Sequence, residues 1–209
     1  MKKIVIGLGL FLGLSLMVVS ANQAAEKTFV VSATVPGATG VSISASRVDS
    51  VSGDFTPVAG NNLSFDPLAF NVANQIYLPD HFFAIDVGSV GGAGSPDVTV
   101  TYAEGANPNG AGPGLGTKAT ATFVRVEGTT GNQTEVALTA HGPKKMLKNL
   151  INEQIDSTEL TNGFLRIYLG IVTRDPNATF PDPVGSQPFT NADASGRYDG
   201  TLVVSATAT

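Results

Sequence analysis

The feature that most constrains the fold is a series of short segments in which apolar and polar residues alternate, separated by turn-rich stretches that contain glycine and proline. The first spans residues 28–35, where Phe29, Val31, Ala33 and Val35 alternate with polar or β-branched residues before Pro36 and Gly37. Successive side chains of a β-strand point to opposite faces. The pattern therefore predicts a strand with one apolar face.

Similar segments recur along the chain and are separated by turn residues such as Gly91, Gly92, Pro108 and Gly110. The predicted strands are residues 28–35, 41–48, 75–78, 82–87, 98–102, 119–126, 135–139, 164–172 and 198–208. Many short strands with turns between them are typical of an antiparallel sandwich. The fold class predicted is therefore all-β.

One segment has a different period. In residues 143–155, five apolar residues recur at helical spacing after Pro143, which suits a first helical position; they are Met146, Leu147, Leu150, Ile151 and Ile155. We expect one short amphipathic helix that caps an end of the sandwich. Core packing is the favoured role for its apolar face, and a groove for a partner is the alternative.

Composition excludes several classes of protein. Only 14% of residues are charged, the net charge is −5, and the 12 Lys and Arg residues are scattered. A nucleic-acid interface needs clustered cations, so no nucleic-acid partner is expected. No cysteine is present, which excludes disulfides and thiolate metal sites.

The first residues are typical of an export signal. Met1, Lys2 and Lys3 precede an apolar run that ends in small residues near Ala21, as in a secretory signal peptide. We expect residues 1–24 to be removed, with the boundary between 21 and 25. A retained membrane anchor is the alternative, because the run approaches the length that spans a bilayer.

No motif in the chain predicts catalysis, a cofactor or a metal. The glycine-rich residues 110–118 lack the P-loop spacing and predict a flexible loop. Residues 191–196 weakly resemble a calcium loop, but Leu202 stands where the bidentate Glu is needed. His81 and His141 lack zinc spacing and are predicted at the surface or at strand ends. We therefore expect no enzyme and no cofactor.

Both ends of the expected mature chain resemble a known family. Glu26, Lys27 and Thr28 open the first alternating strand, and Gly196, Tyr198 and Gly200 form a Gly-x-Tyr-x-Gly turn before the last strand. These features are similar to the colonisation-factor (alternate or alpha class) family of chaperone–usher fimbrial major subunits.

The resemblance implies an incomplete immunoglobulin-like sandwich that is completed by the N-terminal strand of the next subunit, a form of β-strand addition. It divides the chain into a donor strand at residues 25–36 and a pilin domain at residues 37–209. The implied donor residues are Phe29, Val31, Ala33 and Val35, and the implied acceptor-groove residues are Leu202, Val204 and Ala206.

The resemblance also implies partners and location. The partners would be identical subunits in a filament, a periplasmic chaperone, an outer-membrane usher and a host-surface receptor. The protein would pass through the periplasm to a cell-surface fimbria that mediates adhesion. The alternative from another class is a secreted β-sandwich module that binds carbohydrate or another ligand, keeps residues 28–35 in its own sheet and exposes aromatic side chains.

Overall fold

Strands dominate the fold. The computed structural model describes residues 29–34, 40–90, 94–128, 134–175 and 177–208, with the backbone alone for residues 29–34. The strands are β1 (Phe29–Thr34), β2 (Val41–Asp49), β3 (Phe55–Pro57), β4 (Asn62–Ser64), β5 (Leu68–Asn71), β6 (Ile76–Pro79), β7 (His81–Ser89), β8 (Asp97–Glu104), β9 (Ala119–Glu127), β10 (Glu135–Ala137), β11 (Lys145–Met146), β12 (Glu153–Ile155), β13 (Gly163–Ile171) and β14 (Tyr198–Thr207). The described residues also contain one α-helix, α1 (Leu115–Lys118), and 3₁₀ turns at Thr139–His141, Leu147–Asn149 and Ser157–Leu160.

Two sheets form the body of the domain. One has five strands in the order β12-β8-β14-β1-β4, and the other has seven, in the order β10-β9-β13-β7-β2-β3 with β11 beside β9. The strands β5 and β6 form a separate hairpin. Among the described strands, all pairings are antiparallel except that of β1 with β14.

One apolar cluster lies between the two sheets. Leu165, Ile167 and Leu169 of β13 are fully buried, and so are Leu202 and Val204 of β14 on the opposite side. Both strands alternate buried and less buried residues along their length, as strands do when one face meets a core. The prediction of an all-β sandwich is confirmed.

Each predicted strand segment contains a strand in the structure. Five further strands, β3, β4, β5, β11 and β12, have only two to four residues. A segment of that length is too short to show a period. Their existence depends on the strands beside which they lie.

The position predicted for the helix is wrong. Residues 143–155 form β11, a 3₁₀ turn and β12, while the single short helix of the described residues is α1. β11 pairs with β9 in one sheet and β12 with β8 in the other. Strand pairing at both ends thus overrides the local helical spacing, and Ile151, which that spacing placed on the apolar face, is 73% exposed.

The glycine-rich loop also differs from the prediction. Its last four residues form α1, and all four are buried. The predicted flexible loop is therefore confined to the residues before Leu115. Lys118, at the end of α1, is only 2% exposed.

His81 and His141 are both buried. His81 begins β7 and is therefore at a strand end, but His141 lies in a 3₁₀ turn. The ring of His141 lies between two carboxylates, with Nδ1 2.7 Å from Glu153 and Nε2 2.9 Å from Glu159. Lys145 donates to the same oxygen of Glu153 at 2.7 Å. These hydrogen bonds hold together residues 141–159, the segment in which β11 pairs with one sheet and β12 with the other.

The contribution of Glu153 to the free energy of unfolding should decrease as the pH falls into the acid range. Burial alone would raise the pKa of Glu153, but hydrogen bonds from His141 and Lys145 outweigh it and lower the pKa below the ordinary value of a glutamate. A lowered folded-state pKa adds stability that is present above the unfolded value and lost as the pH falls through the folded value. We expect Glu153→Gln to lower the unfolding free energy by about 1 kcal/mol at pH 7, and by progressively less below pH 4.5.

Thermal unfolding of the wild type and of Glu153→Gln between pH 7 and pH 3 measures this difference. Glu127→Gln is the matched control, because Glu127 pairs with Arg125 at the surface and its side chain is 48% exposed. A difference for Glu153→Gln that stays constant over the whole pH range would contradict the assignment.

Candidate strand-exchange groove

The last strand presents one apolar face to the core. Along β14, Tyr198, Gly200, Leu202, Val204 and Ala206 are buried, and the residues between them are more exposed. Leu202 and Val204 are 0% exposed and Ala206 is 7% exposed. The three residues implied as the acceptor strand therefore share the buried face, while their role in accepting a donor stays a prediction.

The N-terminal strand fills the position beside β14. β1 runs parallel to β14, with Phe29 opposite Tyr198 and Thr34 opposite Val203, and antiparallel to β4, with Val31 opposite Leu63. It is therefore an inner strand of the five-stranded sheet, inserted between two strands that are distant from it in sequence. In the single chain, β1 belongs to its own domain's sheet, which is the arrangement expected of the alternative, a secreted binding module, and exchange of β1 between subunits stays a prediction.

The register divides β1 into two alternating sets. Phe29, Val31 and Ala33 stand opposite the buried Tyr198, Gly200 and Leu202. Val30, Ser32 and Thr34 stand opposite Asp199, Thr201 and Val203, which are less buried. Residues 25–28, Val35 and Pro36 of the predicted donor segment lie outside the described residues, as do residues 1–24.

The Gly-x-Tyr-x-Gly turn holds the start of β14. Tyr198 is fully buried, its hydroxyl donates to the Ala194 carbonyl at 2.9 Å, and its ring meets Phe189 edge-on at 5.0 Å. Asp199 accepts a hydrogen bond from the Ala106 backbone N–H, and its own N–H donates to the Ala106 carbonyl. The turn is thereby fixed to the end of β8 and the loop that follows it.

The two glycines of this turn have separate steric reasons. Gly196 has φ +140°, which is strained for other residues, and a Cβ there would lie 2.9 Å from Pro108. A Cβ at Gly200 would overlap the ring of Tyr102, which lies across β14 from the neighbouring strand β8. A side chain at either position would displace β14 from its place beside β1.

The other side of the groove is β4, which the sequence pattern did not predict. It has three residues, and Leu63 at its centre is fully buried, as is Phe65 just beyond it. The alternation of Leu63 and Phe65 with polar residues was a usable signal. It was too short to separate from the surrounding turns.

A second candidate site is a cleft of about 680 Å³ on the outer face of the seven-stranded sheet. Phe82 of β7 and Tyr168 of β13 lie edge to face at 5.7 Å in its floor, and Phe180 lines one wall. All three aromatic side chains are partly exposed. Lys144 and Glu135 supply opposite charges at the border.

Tyr168 is oriented by charged neighbours. Its hydroxyl donates to Glu135, which also accepts from Arg166 at 2.9 Å. Burial and the contact with Glu135 raise the pKa of Tyr168 to about 12. The phenol is therefore protonated at neutral pH, and its ring keeps a fixed orientation in the cleft.

In comparisons with known proteins, no protein-family model, no curated protein and no solved structure matches the chain. In the part of the chain that the structure describes, no helix is long and apolar enough to cross a membrane. The same residues contain no group of three or more His, Cys, Asp and Glu side chains placed to hold a metal ion.

An aspartate at either central valine of β14 should lower the unfolding free energy, but by very different amounts. Val204 is fully buried, so Val204→Asp should place an unpaired carboxylate in the core and cost roughly 4 kcal/mol of unfolding free energy or more. Val203→Asp keeps its carboxylate at the partly exposed face and should cost about 1 kcal/mol or less. Denaturant unfolding measures both. Equal losses would show that β14 does not present alternate faces to core and surface.

Proposed function

We propose that this chain is the structural subunit of a surface fimbria, in which the N-terminal strand of one subunit completes the five-stranded sheet of the next. The observation that carries the proposal is the insertion of β1 between β14 and β4. Removal of β1 leaves β14 paired with β8 and frees one edge of β14 and one edge of β4, which has no other strand partner among the described residues. The gap left behind has the width of one strand and is flanked by the fully buried Leu63 of β4 and Leu202 of β14.

Strand direction favours exchange over pairing within one chain. β1 makes six residue pairs with β14 in parallel and three with β4 in antiparallel orientation. A donor that enters from another subunit in the reverse direction would make the longer ladder antiparallel and the shorter one parallel. Antiparallel pairing is slightly more stable per residue, so the reversed donor makes the better sheet.

Pairing within the chain has the advantage of proximity. The donor is tethered by residues 35–39, so its effective concentration at its own groove is high. Polymerisation therefore requires that the groove be held open or occupied until another subunit arrives. An open groove also leaves the edges of β14 and β4 unpaired, which invites aggregation. A periplasmic chaperone and an outer-membrane usher would meet both needs.

The geometry of exchange leads to a filament. Each subunit would donate through β1 and accept through β14 and β4, so donor and acceptor surfaces differ. Such a heterologous contact repeats without closing. Because β14 lies in the core sheet, each added donor would also complete the core of the subunit that receives it.

A pair of substitutions at adjacent residues tests the proposal. Val31 stands opposite the buried Gly200 and Leu63, and Val30 opposite Asp199 and Ser64. Val31→Asp should abolish fibres, because a carboxylate at the groove floor is unpaired, and Val30→Asp should leave fibre yield within about twofold of the wild type. Electron microscopy of cells that express the chain with its neighbouring genes gives the yield.

A peptide assay tests whether a substitution weakens the insertion of the donor strand into a groove, without any effect on the folding of the subunit that carries that strand. A chain that lacks residues 25–36 is mixed with synthetic peptides of residues 26–36, either wild type or with Val30→Asp or Val31→Asp. The wild-type and Val30→Asp peptides should raise its melting temperature, and the Val31→Asp peptide should not. Equal fibre yields for both full-length variants, or a shortened chain that no peptide stabilises, would contradict strand exchange.

The outer cleft supports a second candidate function, the binding of a carbohydrate or a similar ligand. Partly exposed aromatic rings with polar groups at the border are typical of sites that stack on the apolar faces of sugars. The cleft lies on the seven-stranded sheet, away from β1, so it would stay open in a fibre.

Removal of the central ring of the cleft tests that function. Tyr168→Ala should weaken binding to a glycan array by about tenfold or more. Phe70→Ala is the control, because Phe70 is partly buried against Tyr77 in the β5–β6 hairpin and does not line the cleft. Array binding that is the same in both variants and the wild type would exclude this cleft as the binding site.

A further inference from the structure

Lys118 and Asp193 form a buried pair that joins the two sheets. Their side chains are 3% and 7% exposed, and Nζ of Lys118 lies 2.6 Å from Oδ1 of Asp193. Lys118 directly precedes β9 of the seven-stranded sheet, and Asp193 lies in the loop that leads into β14 of the five-stranded sheet. Two charges taken out of water in this way carry a desolvation cost that their attraction often fails to offset.

The two carboxylate oxygens of Asp193 and the Nζ atom of Lys118 each have further hydrogen-bond partners. Asp193 Oδ2 accepts from the Thr190 backbone N–H at 2.7 Å and from its hydroxyl at 3.3 Å. Oδ1 accepts from Asn109 Nδ2 at 2.9 Å in addition to the lysine. Lys118 Nζ also donates to the Pro188 carbonyl at 3.1 Å, and the Phe189 ring lies 5.1 Å away.

The two reacting atoms are close. With a C–O bond of about 1.2 Å and an ordinary hydrogen-bond angle, the carboxyl carbon lies roughly 3.4 Å from Nζ. The amine lies beside Oδ1 in this ion pair and has to move over the face of the carboxyl group before it attacks the carbon. The short ion pair thus places an amine against a carboxyl carbon in a site from which water is largely excluded.

We propose that Lys118 and Asp193 condense to an intramolecular amide, a covalent link between the start of β9 and the loop before β14. The Nζ–Cγ bond forms and the Cγ–Oδ1 bond breaks. Two of the three ammonium protons pass to Oδ1, which leaves as water. No oxidant, reductant or further reactant is needed, and the total charge stays zero.

The surroundings fit both the intermediate and the product. Oδ2 gains negative charge when Nζ adds to the carbon, and the Thr190 N–H and hydroxyl stabilise it there. Asn109 donates to the oxygen that leaves. In the product, the one remaining N–H on Nζ faces the Pro188 carbonyl and the amide oxygen keeps its Thr190 donors. Asn109 loses its bond to the departed oxygen and keeps the one from Nδ2 to the Pro113 carbonyl.

The lowered pKa of Asp193 agrees with an ionised carboxylate before the proposed condensation. Burial alone would raise the pKa of Asp193, but hydrogen bonds from Lys118, from the Thr190 backbone and from Asn109 outweigh it and lower the pKa. Asp193 therefore begins as a carboxylate. Transfer of a proton along the 2.6 Å contact produces the neutral amine that attacks.

The link is independent of strand exchange, because neither residue belongs to β1 or to the acceptor face of β14. It serves a chain that has no cysteine and therefore no disulfide to join its sheets. An amide closes the loop between residues 118 and 193 permanently and restricts the unfolded state as a disulfide would.

High-resolution mass spectrometry of the purified, folded wild-type chain tests the proposal. We expect a mass lower by one water than the sequence requires, and a protease digest in which the peptides containing Lys118 and Asp193 run as one cross-linked species. Lys118→Arg retains the cation but has no nucleophilic amine, and Asp193→Ala removes the carboxyl carbon. Each variant should show its full calculated mass and a lower melting temperature.

Because the wild type itself carries the signal, the result does not depend on the folding of the variants. A folded wild-type chain with its full calculated mass would overturn the proposal and leave a permanent ion pair. Loss of ammonia with a link from Lys118 to Asn109 would also overturn it, since the acceptor would then be the amide. A water loss that persists in Lys118→Arg would assign the loss to other residues.

Discussion

The position of β14 is the constraint on which the rest of the structure depends. A strand at the centre of a sheet must be paired along both edges and covered on its apolar face. β8 satisfies one edge of β14, the cluster around Ile167 and Leu169 covers the face, and β1 satisfies the remaining edge. The third of these contacts is made by a strand from the opposite end of the sequence, and it is the one that another chain would supply in the strand exchange proposed above.

The start of β14 is held to the rest of the domain by side-chain contacts as well as by strand pairing. Tyr198 and Asp199 bind the backbone of residues 194 and 106, and the loop before them is held to α1 by Lys118 and Asp193. These contacts hold the start of β14 at the end of β8, and none of them involves β1. A groove that keeps its shape when empty is what an incoming strand requires, because a displaced β14 would change the alternate sites that the donor meets.

Much of the sheet was predictable because the period of a strand is local. The alternation in residues 198–208 places Leu202, Val204 and Ala206 on one face, and the structure buries all three. The helix predicted at residues 143–155 was wrong because β11 and β12 pair with strands that are distant in sequence, which no local pattern contains. The outer cleft and the contact between Lys118 and Asp193 were missed for the same reason. The outer cleft and the contact between Lys118 and Asp193 both involve loop residues, and the positions of these loops depend on how the strands pair.

The two proposals address different requirements of a chain under load. In a fibre held together by strand exchange, tension enters a subunit through its groove and passes along the ladder to β14. Hydrogen bonds along a ladder that are loaded in shear share the force, but the loop before β14 has few backbone pairings of its own. A covalent bond from Asp193 to the start of β9 would carry that force into the seven-stranded sheet, where β9 pairs with β10, β11 and β13. The load would then spread over both layers of the sandwich and would not separate them at the loop.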